Sequence, residues 1–339
     1  PAPRAHPATM PTDAAPIGTT SGQSGLAVGY PGIATPRQQR VLMIGIGVLI
    51  GTIASMRLLG LDQLYLWHDE VYTLLRVFGH PVEQGWALLF SDRILTPNEL
   101  LALQRPDPAH GLADTWRELR GHPEHAPLYY LLGWLAAKLP LEPVVALRGT
   151  SALFGLLLPA AAFWLMRELF GRGPVPWIAA LLVACSPLHL LYAQEARQYA
   201  LWTLLTLASS ATLVRALRGS GSQADTAAGG GPDPARWRPR PAHAGAWALY
   251  SALLTVGLYT HLLFALLLPV HAAYVWLDAA HRTGSAPTPR DLPSRPWLVA
   301  AAASLVLFLP WAVVVFQGLD RALDYTAWMN RQVGSAETL

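Results

Sequence analysis

Two adjacent carboxylates open the polar part of this sequence. In Leu66-Trp67-His68-Asp69-Glu70 they follow an apolar stretch, with a tryptophan of the kind that settles at a membrane interface. A carboxylate so close to hydrocarbon is costly unless it is paired, hydrated or functional. A functional one would be a general base, taking the proton of an acceptor hydroxyl beside a membrane-held donor. The bland alternative is the solvated end of a span. Asp69 is the first candidate for the base and Glu70 the second.

Three further polar clusters have suitable chemistry. His122-Pro123-Glu124-His125-Ala126-Pro127-Leu128-Tyr129-Tyr130 offers His125 and Tyr129, with prolines fixing the direction of entry. Its histidines and glutamate read as metal ligands, phosphate donors or loop polars; no second cluster at zinc spacing accompanies them, so metal is the weakest reading. The run Ser186 to Tyr199 carries Gln194, Glu195, Arg197 and Tyr199. An arginine there suits a phosphate, and tyrosine or glutamine can orient a sugar, while a plain Glu195–Arg197 pair is the structural alternative. Tyr259-Thr260-His261 adds His261.

The elements that must position these residues are membrane spans. Of 339 residues, 53% are hydrophobic and only 13% charged, a balance suited to lipid. Seven runs are long enough to cross about 30 Å of hydrocarbon: Val41–Gly60, Val144–Leu165, Val175–Leu191, Ala200–Leu217, Ala244–Thr260, Leu262–Ala279 and Trp297–Gln317. Pro127–Leu139 is too short to cross and reads as an interfacial helix. The fold class is therefore all-α and polytopic, with further interfacial helices expected at Val71–Phe78 and Leu112–Leu119.

Charge orients the spans. With a cytoplasmic N-terminus, the inner segments hold thirteen arginines, the densest group being Arg215, Arg218, Arg236, Arg238 and Arg240, against six acids. The outer segments are net acidic, as the positive-inside rule requires. Residues 1–40 then form a disordered inner tail, 41–317 the membrane module, 61–143 a long outer loop, 219–243 a flexible inner linker and 318–339 an outer segment. The sequence starts at Pro1 with no methionine before Met10, so a fragment is expected. The lone cysteine, Cys185, excludes a disulfide framework and reads as a small buried hydrophobe. No basic patch interleaved with aromatics suggests a nucleic-acid partner.

From Val41 to Gln317 the chain resembles the GT-C membrane glycosyltransferases, in particular the protein O-mannosyltransferases (glycosyltransferase family 39) and the aminoarabinose lipid A transferases. The resemblance rests on Asp69-Glu70 after the first span, on His125-Ala126-Pro127-Leu128-Tyr129-Tyr130, on Gln194-Glu195-Ala196-Arg197 with Tyr199, and on Tyr259-Thr260-His261. Ala126 stands where that group usually has proline. The resemblance implies a polyprenyl-phosphate sugar donor, inverting displacement, and a carboxylate of the first outer loop as base. It also implies further spans after the seven. The acceptor would be a protein, lipid or glycan on the non-cytoplasmic face. In that chemistry Asp69, with Glu70 behind it, activates the acceptor, and Arg197 with His125 or His261 receives the departing phosphate. No cofactor is required; a divalent cation is allowed but not demanded. The leading rival is a carrier for a lipid or polar solute, against which the nearly charge-free spans and the lack of an internal repeat argue.

Overall fold

The computed structural model describes residues 36–221, 241–283, 294–321 and 323–324, and they are helical with no strand among them. Residues 1–35 of the expected tail, 222–240 of the expected linker and most of the expected outer segment lie outside the described residues. Two compact units are distinguished, residues 1–44 and 45–339. The described part of the first is the opening turns of a helix; the second carries everything below.

Thirteen α-helices are described. Five stretches are long and apolar enough to cross a membrane: Arg37–Leu58, Pro143–Phe170, Tyr199–Arg218, Leu262–Arg282 and Arg295–Gln317. They fall on α1 (Pro36–Ser55), α7 (Pro143–Phe170), α10 (Tyr199–Gly221), α12 (Leu267–Thr283) and α13 (Ser294–Gln317). A sixth would be the bent pair α8 (Val175–Cys185) and α9 (Pro187–Ala193). The remaining expected span is the apolar helix α11 (Pro241–Thr260). Between α1 and α7 lie five short helices: α2 (His68–Phe78), α3 (Val82–Leu89), α4 (Pro97–Ala102), α5 (Leu112–Gly121) and α6 (Leu128–Ala136). The expected interfacial stretches are thus helices α2, α5 and α6, and α3 and α4 join them.

Two expectations are corrected. Val175–Leu191 is not one continuous helix: it breaks at Ser186-Pro187 and turns by 58°. Pro187 cannot continue the hydrogen-bond ladder of α8, and Ser186 caps the new helix by accepting from the His189 N–H at 3.4 Å. The carbonyls stranded at the end of α8 are not left bare. Arg57, fully buried, donates to Val183 at 2.9 Å and to Ala184 at 3.3 Å, so a cation closes the helix C-terminus. The second correction is Cys185, which is exposed rather than buried.

Packing brings one end of several helices together. The α7–α10 and α7–α8 interfaces dominate, α10 continues onto α11, and α11 onto α13. At Gly155 of α7 any side chain would collide with Ala193 of α9 and crowd Arg57, so the close approach of these elements needs glycine. Gly79 ends α2 in the left-handed region, at φ 71°, against Asp114 and Thr115 of α5. Leu74, Val77 and Phe78 of α2 then pack with Leu119, Tyr130, Leu147 and Trp311 in one buried cluster, which seats the short helices on α7 and α13.

Candidate functional site

The two carboxylates that open the polar sequence go to different places. Glu70 is 1% exposed and clamped: Arg148 Nε donates to its Oε1 and Arg148 Nη2 to its Oε2, both at 2.8 Å. The Ala196 N–H donates to Oε1 at 2.7 Å and the Trp67 N–H to Oε2 at 3.4 Å. Arg148 spends its other donors on the carbonyls of Leu61, Leu64 and Tyr65. This knot ties α2, α7 and the α9–α10 connection, and it leaves Glu70 no access to a substrate. Asp69 is about a third exposed, with Arg197 Nη2 at 3.3 Å from its Oδ2 and His68 Nδ1 at 3.6 Å from its Oδ1.

Arg197 is the hub of the open region. It is 6% exposed, donates to the Thr73 hydroxyl at 3.3 Å and the Asp69 carbonyl at 3.4 Å, and lies over the Tyr199 ring at 5.5 Å. Its side-chain ion pair is with Asp69, and the alternative Glu195–Arg197 pair is not formed among the described residues. Burial works against its charge, but Tyr130, Tyr199 and Asp69 outweigh it and hold the guanidinium above the ordinary arginine value. Asp69, Thr73 and Arg76 share one face of α2 at helical spacing, and this places a second guanidinium nearby. Arg76 is 5% exposed; burial pulls its pKa down, Tyr130 and Glu124 oppose that, and Arg197 adds to it. The Nε atoms of both arginines and the Tyr130 hydroxyl are buried without a hydrogen-bond partner among the described residues.

The histidines complete the wall. His125 lies 3.6 Å from Glu124 Oε1 and edge-on to Tyr130; burial and the charges of Arg76 and Arg197 push its pKa well down, so it is a neutral imidazole. His261 is stacked on Trp202 at 4.3 Å and accepts from the Leu263 N–H through Nδ1, which puts its proton on Nε2. Burial, then Arg197, keeps it neutral too. Glu195 has one buried carboxylate oxygen without a partner among the described residues.

The sequence-predicted residues therefore divide. Asp69, Arg197, His125, His261, Glu195 and Tyr199 meet around one region. Glu70 is held in the knot. Gln194 is also committed, its amide donating to the Leu59 carbonyl at 2.8 Å. Tyr129 is fully buried, with its hydroxyl 2.6 Å from Ser151, which itself donates to the Arg197 carbonyl at 3.0 Å. It positions Arg197 from behind instead of facing a ligand. Arg76, Arg148 and Arg57 escaped sequence reasoning. For Arg76 a signal existed, since it falls two helical turns after Asp69; for the other two, only the oddity of arginine in an apolar run pointed to a role. Among the described residues no three His, Cys, Asp or Glu side chains converge to hold a metal ion.

Comparison with family models, with curated proteins and with solved structures finds no match to this chain. Fold and site define a protein that is helical over its described residues, with five or six helices apt to cross a membrane and a buried, arginine-rich polar site built from α2 and the α9–α10 connection.

Proposed function

We propose that this chain is a membrane glycosyltransferase, moving a sugar from a polyprenyl-phosphate donor to an acceptor hydroxyl on the non-cytoplasmic face with inversion at the anomeric carbon. One observation carries the reading. Two buried guanidiniums, Arg76 and Arg197, act on each other electrostatically and keep unpartnered Nε atoms beside an accessible carboxylate. Asp69 answers Arg197 and Glu124 acts on Arg76, yet the buried Nε–H groups remain as donors, and a phosphate can take both. The carboxylate next to it, Asp69, is then the base for the incoming hydroxyl, while His261 Nε2–H and Tyr130 can bond the sugar or phosphate. In this reading Glu70 serves by locking α2 and the α9–α10 connection in register.

The seven-span count and the outward orientation belong to the same proposal, supported by the arginine asymmetry. Cysteines introduced near residues 100 and 140 in a Cys185→Ser background should react with an impermeant reagent from outside, and one near 170 should not. The activity itself is tested by incubating membranes bearing the protein with radiolabelled polyprenyl-phosphate sugars. Label should move from the lipid to a protein, lipid or glycan acceptor. Failure of every such donor to give up label would overturn the reading.

A further inference from the structure

One carboxylate of the site is used neither by the fold nor by the steps above. Glu195 sits in a fixed stretch of chain. Before it Gln194 is tied to the Leu59 carbonyl, after it the Ala196 N–H is tied to Glu70, and the Arg197 N–H closes on the Glu195 carbonyl at 2.7 Å. Yet its Oε2 is buried with no hydrogen-bond partner among the described residues. The charged groups that act on it are Glu70 and Asp69 from α2, Arg148 from α7 and Arg197 from its own connection. A carboxyl group placed this way favours its neutral, protonated form. Burial first, then the charge of Glu70, pushes its pKa up to about 7, with Asp69 adding to the rise and Arg197 and Arg148 opposing it.

We propose that Glu195 is the proton donor to the departing lipid phosphate, an inference that rests on the glycosyl-transfer reading. The donor is a phosphodiester with one negative charge, and the product is a phosphomonoester whose second ionisation falls near neutrality. As the acceptor oxygen bonds to the anomeric carbon, its proton passes to Asp69. The bond from that carbon to the phosphate oxygen breaks with its electron pair on oxygen, and the Glu195 proton moves to the phosphate. Asp69 is left protonated, Glu195 ionised and the phosphate singly charged; exchange through solvent returns the proton from Asp69 to Glu195. The phosphate thus departs with the single charge it arrived with.

The test is the pH dependence of label transfer from a polyprenyl-phosphate sugar, measured on membranes from about pH 5.5 to about pH 9 for the unaltered protein, Glu195→Gln and Asp69→Asn. In the unaltered protein, turnover should fall by about tenfold per pH unit above the Glu195 ionisation. Glu195→Gln keeps the shape but has no transferable proton. It should be slower by about 10²-fold at low pH and flat where the unaltered protein falls. A Glu195→Gln protein with unchanged turnover, or with the same alkaline fall, overturns the proposal. If that variant does not accumulate, the unaltered protein decides: turnover that does not decline toward high pH overturns it. Transfer that Asp69→Asn abolishes leaves the glycosyl-transfer reading standing whatever Glu195 does, whereas no transfer by the unaltered protein at any pH overturns both.

Discussion

Two buried polar clusters in this molecule are built from similar side chains and differ in one respect, whether their hydrogen bonds close. Within the helical bundle, Trp297 Nε1 donates to the Tyr250 hydroxyl at 3.0 Å, Tyr250 meets His271 Nδ1 at 2.9 Å, and His271 Nε2 meets Ser210 at 3.1 Å. Ser210 in turn donates to the Thr206 carbonyl at 2.7 Å. The directions are consistent from end to end with a neutral histidine protonated on Nε2, so the chain is satisfied and offers nothing to a ligand. Around Arg197 the opposite holds. The Nε atoms of Arg76 and Arg197, the Tyr130 hydroxyl and a Glu195 oxygen are all buried without partners among the described residues. Native proteins rarely leave buried polar atoms unmatched, so atoms gathered in this way are the ones with hydrogen bonds to offer to water or to a ligand. The Glu70–Arg148 knot belongs with the closed cluster although it adjoins the open one.

That contrast can be broken at four places. The largest effect is expected at Glu70→Gln, which leaves Arg148 with a buried, uncompensated charge. Loss of about 3 to 5 kcal/mol of stability should follow, read as a lower unfolding midpoint in detergent or as failure to accumulate. A Glu70→Gln protein as stable as the unaltered one would remove the knot from the closed class. Asp69→Asn should do the reverse: turnover falls by about 10² to 10⁴ while the midpoint stays close to normal, because its pair with Arg197 is partly open to solvent. Near-normal turnover in that variant would take Asp69 out of the chemistry.

A smaller effect should appear at Arg197→Lys, which keeps the charge but loses the planar fork. Donor affinity should drop by about tenfold, with Arg76→Lys behaving similarly. Unchanged donor affinity in both variants would show that the open atoms do not await a phosphate. Tyr250→Phe should leave label transfer unchanged, with a stability loss of about 2 kcal/mol from two interrupted hydrogen bonds. Transfer lost in a folded Tyr250→Phe protein would place the inner cluster in the function, and the distinction between closed and open clusters would fail.

Most of the helices and the polar breaks between them were legible in the sequence because the apolar runs are of about the length a bilayer needs and the breaks contain proline, histidine or paired charge. The bend between α8 and α9 was readable in principle from Ser186-Pro187, yet the apolar residues on both sides mask it; hydropathy averages across a break that backbone hydrogen bonding does not tolerate. Legible too were Asp69, Arg197, His125 and His261 as candidates for one site, since each sits in a polar break beside an apolar helix. The sequence does not choose between Asp69 and Glu70. As neighbours on a helix they point about 100° apart, so one must turn inward and the other toward the open region. Arg148, 78 residues further on and within the first turns of α7, meets α2 on the side of Glu70 and fixes that choice. Local pattern determines which residues are polar at a membrane surface, and long-range packing determines which of them are left with valences to offer.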